Sequence, residues 1–86
     1  MTIHFHHRFK KQLQKAPQKV QTAFYTHLAL FQEDPFQPSL NNHALKGVYL
    51  GYRSIDVTGD WRAIYKVVSD DQVIFSFLGT HSYLYR

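Results

Sequence analysis

The hydrophobic pattern of this chain changes period between its two halves, and that change constrains the fold more than any other feature. From Phe5 to Phe31 the bulky apolar residues recur at helical spacing. Phe5, Phe9 and Leu13 form an i, i+4 series, and Val20, Phe24, Leu28 and Phe31 follow at i, i+4, i+8 and i+11. Each series makes one apolar stripe that must be buried against something. From Leu50 onward the apolar runs are rich in β-branched and aromatic residues, which suit a pleated surface. Asp34-Pro35 and Gln37-Pro38 divide the two regimes. Proline lacks the amide that a helix interior needs, and it biases the residue before it toward extended geometry.

Residues 2–6 alternate polar and apolar, with Ile3 and Phe5 on one side, and predict a short first or edge strand. Residues 7–16 predict a short amphipathic helix that Pro17 ends. Proline is tolerated in a first helical turn, so a second helix is expected over 17–33. Residues 39–42 predict a polar loop. Residues 50–57 and 61–68 predict an antiparallel hairpin around Thr58-Gly59-Asp60, and a second turn at 68–72 leads into a strand over 73–78. Gly79 is expected to break that strand, leaving 80–86 as a polar and aromatic tail. The expected order is β-α-α-β-β-β in a single domain, residues 1–86. The expected class is α+β, with two helices packed on one face of a mostly antiparallel four-stranded sheet.

With 86 residues and no cysteine, no disulfide can staple so small a domain, so its stability must come from packing, with or without help from a partner. The 44% hydrophobic content supplies the bulk for a core and separates the chain from disordered sequences. The longest apolar runs fall far short of the roughly 20 residues that span a bilayer. The first residues carry neither an apolar stretch nor a small-residue cleavage site, so a secretory route is unsupported and a cytoplasmic location is expected.

The net charge of +4 is unevenly placed. Residues 1–32 carry Arg8, Lys10, Lys11, Lys15 and Lys19 with no acid, which makes that segment +5, whereas residues 33–86 sum to −1. A stripe of one sign suits a surface that meets phosphates or an acidic protein. It equally suits a solvated helix face, and charge alone does not choose.

Gly-rich phosphate loops, cysteine-based zinc spacings, nucleophile elbows and the HExxH pattern are all missing from the sequence. His4, His6 and His7 sit close together, with no nearby carboxylate or cysteine to complete a metal site. The denser constellation is His43, Arg53, Asp56, Asp60, Trp61, Arg62, His81 and Tyr85. Neighbouring strand ends can converge these groups on one rim. An imidazole titrating near about 6.5 beside a carboxylate titrating near about 4 offers acid and base at neutral pH. Arginine adds a permanent cation for a phosphorane-like transition state. Composition leaves a structural alternative open, namely ion pairing and turn capping.

The segments His43-Ala44-Leu45-Lys46-Gly47, Gly51-Tyr52-Arg53-Ser54, Gly59-Asp60-Trp61-Arg62-Ala63-Ile64-Tyr65-Lys66 and Gly79-Thr80-His81-Ser82-Tyr83-Leu84-Tyr85 together resemble the RelE/ParE toxin superfamily of type II toxin-antitoxin systems. The YafQ-like branch is the most similar, the likeness covers nearly the whole chain, and Gly-Thr-His is its most specific element. The resemblance implies a microbial-ribonuclease-like α+β fold and a ribosome-dependent mRNA endonuclease silenced by a co-expressed antitoxin. It implies no cofactor and no metal. Operator DNA would be met only through the antitoxin complex.

The implied cleavage uses the RNA 2′-hydroxyl as nucleophile on the adjacent phosphate and releases a 5′-hydroxyl. By position, His43, Asp60, Trp61, His81 and Tyr85 match the YafQ-like active site. On this resemblance His81 is the general acid to the leaving 5′-oxygen, Asp60 the base or the group orienting the nucleophile, and His43 the competing base. Arg62 stabilises the phosphate, and Trp61 and Tyr85 stack on or brace splayed bases. Arg53 and Asp56 join the expected substrate-binding set. Lys10, Lys11, Lys15 and Lys19 supply salt-sensitive contacts to ribosomal RNA.

Two positions depart from the pattern. Asp56 stands where YafQ-like toxins carry a histidine, and Phe77 stands where relatives carry an arginine two residues before Gly-Thr-His. Two alternatives follow: a ParE-like poison of DNA gyrase, and a catalytically decayed toxin that only binds its antitoxin.

Overall fold

Two helices meet at Pro17, as the apolar spacing predicts. The structure, a computed structural model, describes residues 1–85 and holds these helices as α1 (His7–Lys15) and α2 (Gln18–Glu33). Pro17 caps α2 from outside rather than forming its first helical residue, with extended φ −55° and ψ 148°. At α1 the cap is His6, whose Nδ1 accepts the Arg8 amide at 3.0 Å. This contact satisfies one of the amides that a helix start leaves without a partner.

The apolar stripes of both helices bury Phe9, Leu13, Val20, Phe24 and Phe31 against Ile55, Tyr65, Phe75 and Leu78 of the sheet. Phe75 is the hub of this core. Its ring centroid lies between 5.3 and 5.9 Å from those of Phe5, Phe9, Phe24, Phe31 and Tyr65.

The sheet has five strands where four are expected: β1 (Thr2–Phe5), β2 (His43–Ala44), β3 (Arg53–Asp56), β4 (Trp61–Ser69) and β5 (Gln72–Thr80). Their spatial order is β1-β5-β4-β3-β2. The edge strand β1 is parallel to β5, and every other pair is antiparallel. The extra strand, β2, has two exposed residues and therefore no periodicity to reveal it.

Four further expectations need correction. The strand expected over 50–57 begins only at Arg53, because the chain first makes a 3-10 turn at Gly47–Tyr49 and then passes Gly51 at φ +92°. The loop over 39–42 is not wholly polar, since Leu40 is completely buried at the end of a 3-10 turn. Gly79 does not end its strand but pairs with Arg62 inside β5. The tail instead forms a short helix, α3 (His81–Leu84), which folds back and buries Leu84 against Leu45 and Ile64. Arg86 lies outside the described residues.

The β4–β5 register steps from Ile64 opposite Phe77 to Tyr65 opposite Phe75, leaving Ser76 as an extra residue. Such a bulge re-aims the side chains that follow it. Phe75 therefore joins the helix-side core, while Phe77 joins Tyr49, Tyr52 and Ile64 on the other face. Among the described residues no helix is long and apolar enough to cross a membrane.

Candidate active-site cleft

The sheet face away from α1 and α2 collects the titratable groups. The pairings His43 with Ser54, Asp56 with Arg62, and Arg62 with Gly79 carry His43, Asp56 and Arg62 across three adjacent strands. The fold-back of α3 then adds His81 and Tyr85. All of these except Asp56 border a cleft of about 350 Å³, whose lining is completed by Asn41 and Leu45.

Each group is held by a local device. Asn41 adopts the left-handed conformation, φ 48° and ψ 46°, which asparagine tolerates better than most residues. Its carbonyl lies 2.8 Å from His43 Nδ1. A carbonyl only accepts, so this contact places the proton of a neutral His43 on Nδ1 and leaves the Nε2 lone pair open to take a proton. The His81 amide donates to the Asp60 carbonyl at 2.8 Å, which fastens the start of α3 to the β3–β4 turn. Thr80 Oγ1 caps α3 by accepting the Tyr83 amide at 3.1 Å. The His81 ring rests against Tyr85 with centroids 4.8 Å apart, and Tyr85 in turn meets Tyr49 at 5.8 Å.

Gly79 is the residue that lets α3 come this close. A Cβ there would stand 3.0 Å from Tyr83 Cδ2 and 3.2 Å from Leu84 Cγ. Any side chain there needs those of Tyr83 and Leu84 to give by a few tenths of an ångström.

The cleft's permanent charges largely cancel. Arg62 Nε lies 3.0 Å from Asp56 Oδ1, with side-chain exposures of 16% and 30%. Asp56 Oδ1 is nonetheless buried without an aligned hydrogen bond, so the contact is chiefly ionic. Arg62 Nη1 is occupied as well, donating to the Thr58, Gly59 and Trp61 carbonyls at 3.0, 3.3 and 3.1 Å. Arg62 therefore braces the hairpin turn as well as pairing with Asp56.

The other expected site residues are placed elsewhere. Trp61 and Arg53 point to the helix side of the sheet. Trp61 packs against the core and lines a separate hollow with Gln12, Lys15 and Tyr83. Arg53 Nε donates to Asn42 Oδ1 at 2.7 Å, and its guanidinium lies 5.1 Å from the Phe36 ring centroid. Asn42 also donates to the Pro35 carbonyl and to Tyr65 Oη, so Arg53 belongs to a network that ties the chain after α2 to the sheet. Asp60 is exposed on the turn, joined to the cleft through its carbonyl. Lys10, Lys11, Lys15 and Lys19 are exposed on α1 and α2, outside the cleft. Sequence reasoning missed Asn41 and Leu45 as cleft residues. Only the hidden strand β2 brings them there, and the adjacent His43 was the available signal. Among the described residues no three His, Asp or Glu side chains are grouped to hold a metal ion.

The fold matches known toxins. The solved structure of YafQ from E. coli superimposes with a TM-score of 0.82 at 25% identity, covering 98% of this chain and 97% of that one. YafQ in the E. coli DinJ–YafQ complex matches with a TM-score of 0.68 at 26% identity, over 98% and 97% of the two chains. The YoeB/ParE toxin from Agrobacterium tumefaciens shares the fold, with a TM-score of 0.77 at 18% identity over 94% and 99%. No curated protein sequence matches significantly. The family model for YafQ, the bacterial toxin of type II toxin-antitoxin systems, matches residues 1–86, so the chain belongs to the YafQ toxin family.

Proposed function

We propose that this toxin is a ribosome-dependent mRNA endonuclease that stops translation and is neutralised by a cognate antitoxin. The observation that carries the reading is the convergence of His43, His81, Arg62 and Tyr85 in one cleft on the sheet face away from α1 and α2. His43 Nε2 takes the proton from the RNA 2′-hydroxyl as its oxygen bonds to the adjacent phosphorus. The bond from phosphorus to the 5′-oxygen then breaks, and His81 delivers a proton to that oxygen. The products are a 2′,3′-cyclic phosphate and a 5′-hydroxyl, and no redox partner or metal enters the balance. Asp60 orients the nucleophile from the turn, and Tyr85 supports His81 and offers a ring to an unstacked base. Lys10, Lys11, Lys15 and Lys19 contact phosphates of ribosomal RNA from the opposite side of the molecule. The antitoxin follows from family membership and from the E. coli DinJ–YafQ complex.

Adding purified protein to translating ribosomes tests the reading: mRNA cut within codons by the wild type, and left intact by His81→Ala, is the expected result. One observation favours a second reading, a toxin that binds its antitoxin without cutting RNA. Arg62 is occupied by Asp56 and the turn carbonyls. Antitoxin binding at full strength by a wild type that leaves mRNA intact would favour that reading.

A further inference from the structure

Arg8 stands in the first turn of α1, beside the bulge in β5. Its Nε–H donates to the Ser76 carbonyl at 3.0 Å, the carbonyl of the residue that the bulge leaves without a cross-strand mate. Its guanidinium carbon lies 3.9 Å from the centre of the Phe77 ring. The side chain is thus held at two points yet exposed. Among the described residues the ion pairs are Met1 with Asp71 and Arg62 with Asp56, so within them no carboxylate pairs with Arg8, whose hydrogen bond there is made through Nε. A guanidinium fixed by a neutral carbonyl and a ring is a pre-organised cation.

The same bulge places Phe77 on the cleft face. There the rings continue: Phe77 to Tyr49 at 5.2 Å, Phe77 to Tyr52 at 6.0 Å, Tyr49 to Tyr85 at 5.8 Å, and Tyr85 to His81 at 4.8 Å. Lys66 Nζ adds a second cation, 5.5 Å from the Tyr52 ring centre. A row of aromatic rings therefore leads out of the cleft and ends between two cations.

We propose that Arg8, Phe77 and Tyr49 form a second RNA subsite that binds a phosphate and its base on a strand leaving the cleft. The proposal rests on the endonuclease reading above and names where the flanking part of that substrate is held. Each nucleotide carries an anion and a π-face, and this surface presents cations and rings together. An acidic protein segment would match the cations and leave the rings unused. At about 3.3 Å per strand residue, Phe77 and His81 are about 13 Å apart. Arg8 therefore positions substrate and does not touch the reacting phosphate, which makes it a positioning residue.

The test is steady-state cleavage of ribosome-bound mRNA at several salt concentrations, together with equilibrium binding of a short fluorescent single-stranded RNA. Arg8→Ala is expected to raise KM about tenfold, the cost of a lost charge-assisted hydrogen bond, while kcat stays within about twofold. The salt slope of binding should fall by about 1, with Arg8→Lys restoring the slope but not the full affinity. Phe77→Ala should weaken RNA binding similarly, and the double variant no further, because the two side chains act as one unit. Unchanged KM and salt slope in Arg8→Ala would overturn the proposal. So would a fall in kcat alone, or a loss confined to antitoxin binding, which would assign the surface to a protein partner. Wild-type protein that binds RNA through Arg8 but cuts nothing would sink the endonuclease reading and leave the subsite standing.

Discussion

Asp56 Oδ1 lies 3.0 Å from Arg62 Nε across the β3–β4 pairing, so the cleft's arginine carries its own counter-ion. The carboxylate offsets the guanidinium's charge at close range. The resemblance to YafQ-like toxins implies a histidine at position 56, which would leave Arg62 uncompensated whether the imidazole is neutral or charged.

Asp56→Asn should therefore strengthen RNA cleavage. The side chain keeps its shape, Arg62 regains its full charge toward the substrate, and kcat/KM is expected to rise several-fold. The stability loss should be about 1–3 kcal/mol, because Asp56 Oδ1 is buried beside Arg62 and solvent screens the pair only in part. Steady-state cleavage and denaturant unfolding of the same variant check both halves. A several-fold fall in kcat/KM with unchanged folding would show that Asp56 itself takes part.

His43→Ala and His81→Ala are each expected to lower kcat by about 10²- to 10⁴-fold, the usual contribution of a positioned acid or base. Both side chains are exposed, so unfolding midpoints should stay close to the wild type. Equal losses in the single and double variants would fit paired acid and base roles in one step.

Gly79→Ala should damage the site through its scaffold. The new Cβ would press on the Tyr83 and Leu84 side chains at 3.0 and 3.2 Å, and their adjustment would disturb the packing of α3, which carries His81. We expect destabilisation of about 1–3 kcal/mol, as for overpacking elsewhere, and a loss of activity larger than the change in folded fraction explains. Thermal melting and cleavage measured on the same preparation separate the two effects.

Phe75→Ala removes the hub that five rings share. A buried Phe→Ala change costs about 3–5 kcal/mol. In a small domain without disulfides that is a large part of the total stability. Circular dichroism should show a chain largely unfolded near physiological temperature, whereas Phe36→Ala, at an exposed ring, should melt close to the wild type.

Much of this architecture is legible in the residues, for stated reasons. The helical spacing of Phe9 and Leu13, and of Val20, Phe24 and Phe31, reports the face that is buried, because one stripe must leave water. The β4–β5 hairpin is legible from its β-branched and aromatic runs. What escapes is what has no period. Two residues of β2 cannot alternate enough to be seen, and α3 is a single turn defined by Leu84 docking rather than by propensity. The bulge at Ser76 breaks the alternation of Val73, Phe75 and Phe77, so a regular strand places Phe77 in the wrong layer.

The site divides along the same line. His43, Asp56, Arg62, His81 and Tyr85 gather on one face, yet Trp61 and Arg53 cannot join them. Trp61 and Arg62 are neighbours in β4, and the pleat sends successive side chains to opposite faces. Arg53 sits opposite Tyr65, which is on the helix side. That parity is present in the sequence once the strand is known. Arg8 gave no such signal, since its place over Phe77 depends on the bulge.

The most direct test of the account is to express this protein in a bacterial host beside its His81→Ala variant and map new mRNA 5′ ends across the transcriptome. Growth arrest with cuts inside translated frames is expected for the wild type, and neither for His81→Ala. Growth arrest without new mRNA ends, or cuts that persist in His81→Ala, would contradict it.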